Sequence, residues 1–81
     1  MLKLINVKRN NNIIEANYKP VIPDVDETGY LKIDLSTGEI IDNVDISYDA
    51  PFQTYLIQAS NALKAIADQQ PYKDEYVHMW Y

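Results

Sequence analysis

The sequence of 81 residues contains no cysteine, one histidine (His78) and two glycines. Without cysteine the chain cannot form disulfide bonds, zinc ribbons or a thiol nucleophile. One histidine is too few for a zinc site, which takes several His or Cys ligands. Gly29 and Gly38 belong to no phosphate-binding loop. The sequence therefore predicts no metal, no cofactor and no catalytic residue, and we expect that the protein is not an enzyme.

Long apolar runs are missing as well. No stretch approaches the ~20 apolar residues of a membrane span. Residues 1–8 lack the apolar core of a signal peptide, because Lys3, Asn6 and Lys8 interrupt them. Since a secreted domain of this size usually carries disulfides, these absences predict a cytoplasmic protein that does not bind membranes.

Basic residues are few, seven against twelve acidic ones, for a net charge of −5. The basic groups are concentrated at the start: residues 1–20 carry +3, whereas residues 21–81 carry −8. A nonspecific nucleic-acid binder needs a broad basic face to displace counterions. The charge therefore argues against nucleic acid as a partner.

Hydrophobic patterning predicts two hairpins in the first half of the chain. Residues 2–8 and 13–18 read as strands joined through an asparagine-rich turn, since Asn tolerates the left-handed conformation of tight turns. After a loop over residues 19–28, with prolines at 20 and 23, residues 29–35 show strict alternation. A turn at residues 36–38, closed by Gly38, leads to a partner strand over residues 39–44.

The second half contains one amphipathic helix, predicted over residues 52–69 and ended by Pro71. Asp49 is suited to cap its free N–H groups, and Pro51 fits its first turn. Apolar residues recur at helical spacing along one face. They are Phe52, Leu56, Ala59, Leu63 and Ile66, widened by Ala62 and Ala67.

Residues 75–81, rich in aromatic side chains, read as a last strand. The element order is then ββββαβ within a single domain, residues 1–81. This order predicts the α+β class: an antiparallel four- to five-stranded sheet with one amphipathic helix on one face.

One helix can cover one face of such a sheet, so the other face must meet water or a partner. We expect Leu31, Ile33 and Leu35 to face the helix, joined by Val77 and Met79. The opposite parity then places five residues on the uncovered face: Tyr30, Lys32, Tyr76, His78 and Trp80. Aromatic side chains are enriched at interfaces, although they also favour strands by themselves. A slip of one residue in the last strand would reverse its parity.

Two parts of the chain carry a resemblance to known proteins. Gly29–Asp42 and the terminal Met79-Trp80-Tyr81 resemble small uncharacterised proteins of Gram-positive bacteria and their mobile elements. That group has no established activity, so the resemblance implies no substrate, cofactor or site residue.

Three functions remain open at this point. The first is a non-catalytic interaction module that uses the aromatic sheet face to bind a protein or a second copy of itself, in its simplest form a homodimer. The second is an acidic inhibitor encoded by a mobile element, which would present carboxylates in place of nucleic-acid phosphates. The third is a small-ligand or metal-binding domain built on the acidic clusters at Asp24-Asp26-Glu27 or Asp42-Asp45-Asp49.

Overall fold

The computed structural model describes residues 1–49 and 53–80. It contains β1 (Leu2–Asn10), β2 (Ile13–Pro20), β3 (Gly29–Asp34), β4 (Glu39–Val44), a 3-10 turn (Ser47–Asp49), α1 (Thr54–Ile66) and β5 (Glu75–His78). The strands form one antiparallel sheet in the order β4-β3-β2-β1-β5. The predicted α+β class, the single helix and the order ββββαβ are confirmed.

The two hairpins follow from their turn residues. Asn11, with φ 57°, takes the left-handed conformation that lets β1 and β2 meet. In the second hairpin Gly38 has φ 77°, and Asp34 accepts hydrogen bonds from the backbone N–H and the hydroxyl of Ser36. Both hairpins were predicted, but β1 and β2 are longer than expected. Pro20 ends β2 opposite Leu2, since a proline at a strand end leaves no interior hydrogen bond missing.

A bulge in β1 changes which of its side chains face the helix. The register shifts between Ile5 and Lys8, and Asn6 has φ 56°. Before the bulge Leu2 and Leu4 are buried in the core, and after it Val7 packs against the core. One inserted residue thus moves the inward positions from even to odd numbers.

The same shift turns Arg9 towards the end of α1. Its Nη1 donates to the Ala67 carbonyl at 3.0 Å and lies 2.8 Å from Asp68 Oδ1. The last carbonyls of a helix have no partner within the helix, and a cation there is also stabilised by the negative end of the helix dipole. Arg9 therefore joins the first hairpin to the C-terminal end of α1, a role that its position beside an asparagine-rich turn did not suggest.

Asp49 holds the other end of α1. Its Oδ1 accepts from Tyr55 N–H at 2.6 Å and its Oδ2 from Leu56 N–H at 2.8 Å. The predicted capping role is confirmed, and the carboxylate is buried while satisfying two N–H groups of the first turn. The predictions for Pro51 and Phe52 lie outside the described residues. The helix ends at Ile66, earlier than predicted, since residues 67–69 turn with shorter-range hydrogen bonds to Lys64 and Ile66.

The core lies between α1 and the first three strands. The predicted helix stripe packs there through Leu56, Ala59 and Leu63, with the small Ala62 and Ala67 beside them. The sheet contributes fully buried aliphatic side chains from β1, β2 and β3: Leu2, Leu4, Ile14, Leu31 and Ile33. Burying each such side chain stabilises the fold by roughly 1.5–3 kcal/mol. Among the described residues, no helix has the length and apolarity needed to span a membrane.

Tyr18 is the largest fully buried side chain, and its ring lies over Gly29 on the neighbouring strand. A Cβ atom at Gly29 would approach the Tyr18 ring carbons to 2.3 and 2.5 Å. The glycine is therefore required by the packing of the tyrosine rather than by its backbone conformation.

The predicted parity of the last strand is wrong. In the pairing of β5 with β1, Tyr76 lies opposite Leu4 and His78 opposite Leu2. Directly opposed residues share a face of the sheet, so both side chains lie on the helix side, as does Trp80. Val77 and Met79, expected to face the helix, are instead 55% and 58% exposed. The observed strand ends at His78, and Tyr81 lies outside the described residues.

We expect Asp49→Ala to destabilise the protein by about 1–2 kcal/mol, since two N–H groups at the start of α1 lose their acceptor. Urea unfolding followed by circular dichroism measures this loss. Asp24→Asn is the matched control, because Asp24 is exposed with φ 67°, a conformation that Asn tolerates. Equal stability of Asp49→Ala and the control would contradict the capping role.

For Gly29→Ala we expect a larger loss, about 3 kcal/mol, because the added methyl group would overlap a fully buried ring. Gly38→Ala provides the comparison. There an added Cβ meets nothing closer than 3.8 Å, so that only the strain of the positive φ remains, about 1 kcal/mol. The order of the two urea midpoints tests this, and a smaller loss at Gly29 than at Gly38 would refute the ring contact.

Candidate functional site

The structure divides the predicted interaction face between the two sides of the sheet. Tyr30 and Lys32 lie on the uncovered face, as expected, because their neighbours Leu31 and Ile33 are buried under the helix. Tyr76, His78 and Trp80 lie on the helix side. The five residues therefore do not form one surface.

The uncovered face is polar and its groups bind one another. Paired residues on four adjacent strands give a row of alternating charge: Lys8, Glu15, Lys32 and Asp42. Tyr30 donates its hydroxyl to Glu15 at 2.7 Å, and Lys32 Nζ lies 3.8 Å from the same carboxylate. Opposite charges on facing positions stabilise a solvated sheet. The centre of this face is therefore not an aromatic binding surface.

On the helix side, the aromatic residues of β5 pack against α1. The rings of Tyr55 and Trp80 meet edge to face with centroids 5.1 Å apart, and His78 stacks on Trp80 at 5.9 Å. The His78 Nε2 lies 3.0 Å from Gln58 Oε1 on the helix. Tyr48 adds a further edge-to-face contact to Tyr55. These contacts, worth roughly 0.5–1.5 kcal/mol per aromatic pair, attach β5 to the helix.

The outer strand β5 combines exposed apolar groups with a free sheet edge. Val77 and Met79 are more than half exposed on the uncovered face. Met1 and Val21 continue this apolar corner, since Val21 N–H donates to the Met1 carbonyl at 3.0 Å and both side chains are exposed, 43% and 40%. Lys3 and Glu75, paired at 3.4 Å, stand beside it. An apolar patch with a polar margin is typical of an interaction site.

Several of the acidic residues that could imitate nucleic-acid phosphates already form ion pairs or hydrogen bonds with other residues of this protein. Asp26 pairs with Lys19 at 2.5 Å, and this ion pair holds the pKa of the Asp26 carboxyl below its ordinary value. Glu27 accepts from the Ser47 hydroxyl and backbone N–H, which likewise lowers its pKa. Asp49 is buried as the helix cap. Within residues 1–49 and 53–80, no group of three or more acidic or histidine residues is arranged to hold a metal ion.

The sequence did not predict that Val77 and Met79 are exposed. Both parities of residues 75–81 carry apolar or aromatic side chains, so the pattern could not show which set faces the helix. Tyr48 and Tyr55 were missed because they precede and begin the helix, away from any strand pattern. A signal did exist in the sequence: residues 76–81 carry aromatic or apolar side chains at both parities, which is more apolar surface than one helix can cover.

No protein-family model, curated protein or solved structure matches this chain. The functional inference therefore depends on the geometry of the sheet edges.

Two tyrosines give the protein a predicted sensitivity to alkali. Burial, and then the charges of Asp49 and Asp45, raise the pKa of Tyr18 to about 12. The Tyr18 hydroxyl has no hydrogen-bond partner in the described part of the chain. The polar backbone of Ile46 lowers the pKa of Tyr18, but by less than burial raises it. Partial burial, and then the hydrogen bond to Glu15, raise the pKa of Tyr30 to about 12.

Because an unfolded tyrosine ionises near pH 10, the unfolded state loses these protons first as the pH rises. We therefore expect the free energy of unfolding to be intact below pH 10 and to fall between pH 10 and about 12. Tyr18→Phe removes one of the groups whose pKa is raised and should flatten this decline. Identical pH profiles for Tyr18→Phe and wild type, from urea unfolding, would disprove the assignment.

Proposed function

We propose that this protein is a non-catalytic interaction module that forms a homodimer through the free edge of β5. The observation that supports this most directly is the exposure of Val77 on an edge strand and of Met79 directly after it, 55% and 58%. An edge strand with exposed apolar side chains is a template for pairing with another chain. A twofold axis lets one such patch be buried twice.

The residues on β5 suit antiparallel pairing with a second copy. With Val77 on the twofold axis, Tyr76 of one copy would lie opposite His78 of the other. Glu75 would lie opposite Met79, the first residue after the strand. No like charges then face each other, and the aromatic pair lies on the helix side next to Trp80. Pairs of aromatic residues across strands contribute roughly 0.2–1 kcal/mol each. The two sheets would join into one continuous sheet with both helices on the same side.

The interaction residues predicted on the last strand would still take part in binding, but at the free edge of β5 and not on the uncovered face of the sheet. Tyr76, His78 and Trp80 would contribute through the half-buried side of β5, and Val77 and Met79 through its exposed side. Tyr30 and Lys32, near the centre of the uncovered face, would have no part in the dimer.

We expect wild type to have the mass of a dimer by light scattering, with dissociation on dilution. Val77→Lys should be monomeric at the same concentrations, because two lysines would meet on the axis and the exposed apolar contact would be lost. Val44→Lys is the matched control. It makes the same change at a position of nearly equal exposure, 59%, on the opposite edge strand, and should remain dimeric.

Circular dichroism should show all three proteins folded, since both substituted side chains are more than half exposed. A wild type that is monomeric at every concentration would overturn the proposal. So would a dimer that survives Val77→Lys but is lost in Val44→Lys, which would place the interface on β4.

A further inference from the structure

The second free edge of the sheet, β4, differs from β5 in its chemistry. Of its six residues only Ile40 is partly buried, and Ile41 and Val44 are 51% and 59% exposed. The helix packs chiefly on β1, β2 and β3. On the helix side of β4, Asn43 lies opposite Leu31 and is exposed, and Ile40 lies opposite Ile33 and is only partly buried. This side is therefore largely uncovered, along with the outer edge.

A groove separates β4 from the helix. It has a volume of about 480 Å³ and is bounded on the helix by Ile57, Ser60 and Lys64 and on the second hairpin by Gly38 and Ile40. Ile57 is 53% exposed on the wall of this groove. A strand added outside β4 would direct alternate side chains into the groove, where apolar ones would contact Ile57 and Ile40.

The remaining side chains of such a strand would lie on the uncovered face of the sheet, and the charges on that face indicate which residue types would fit there. The row of alternating charge runs Lys8, Glu15, Lys32, Asp42 and stops at β4. Asp42 is exposed and has no ion pair within 4 Å among the described residues. A strand added outside β4 would take the next position outward, where a cation would continue the alternation and face Asp42 favourably.

Charge also decides against a second copy of this chain on β4. Glu39, Asp42 and Asp45 lie on or just after the strand, and none has an ion pair in the described part of the chain. β4 contains no Lys or Arg, so a second copy of it could not place a cation next to Asp42. The bulge beside Ile41 leaves Asp42–Val44 as the regular part of this edge, so any segment paired there would be short.

We propose that β4 binds a short extended segment of a different protein, with Lys or Arg on the side next to Asp42 and apolar residues on the side that enters the groove. Backbone pairing would supply affinity, and the alternation of charge would select the partner. Because β4 and β5 are opposite edges of the sheet, this binding is independent of the dimer proposed above.

The probe is a short peptide with blocked ends that alternates lysine with valine, titrated into isotopically labelled protein and followed by NMR. We expect the amide signals of Asp42–Val44 and of the groove residues Ile57 and Ser60 to shift. The same peptide with glutamate in place of lysine should cause no such shifts. Binding should also weaken as salt is raised, because the pairs are exposed.

Asp42→Asn should weaken binding of the lysine peptide about two- to fivefold, the range expected for one facing pair of opposite charge. Asp24→Asn removes the same charge from a distant exposed loop and should leave the affinity unchanged. Val77→Lys should also bind like wild type, whatever its oligomeric state. No shifts at β4 with the lysine peptide, equal binding of the glutamate peptide, or equal weakening by Asp42→Asn and Asp24→Asn would each overturn the proposal.

Discussion

A single helix of thirteen residues has to cover a sheet of five strands, and the rest of the structure depends on that mismatch. The helix spans the three inner strands, where Leu56, Ala59 and Leu63 complete the core. Asp49 fixes its start and Arg9 its end, so its position over these strands is set by hydrogen bonds at both ends. The two outer strands consequently keep free edges and exposed apolar side chains.

The two edges are unequal because their residues differ. On β5 the exposed groups are apolar, and the half-buried side is aromatic and attached to the helix through Trp80 and His78. On β4 the edge is acidic, interrupted by a bulge, and bordered by a groove. The first chemistry suits a like copy, and the second suits a segment that carries a cation. A dimer through β5 would leave both β4 edges available at the ends of the joined sheet.

Much of the fold could be predicted from local patterns. Alternation in residues 29–35, the Gly38 turn, the helical stripe and the Asp49 cap each depend on neighbours in sequence, and each was found. The site was predicted less well. The bulge at Asn6 and the parity of β5 are set by pairing between strands distant in the chain. A single inserted residue, or a register shifted by one, reverses which side chains face the helix.

Periodicity, turn residues and length are enough to predict the element order, the single helix and the surplus of apolar surface. The location of that surplus depends on how the strands pair in three dimensions. The pairing of His78 with Leu2 turned Val77 and Met79 outward, and the strand order placed β4 and β5 at the edges. These outcomes depend on which strands become neighbours, since hydrogen bonding between strands, and not the alternation within one, assigns each side chain to a face.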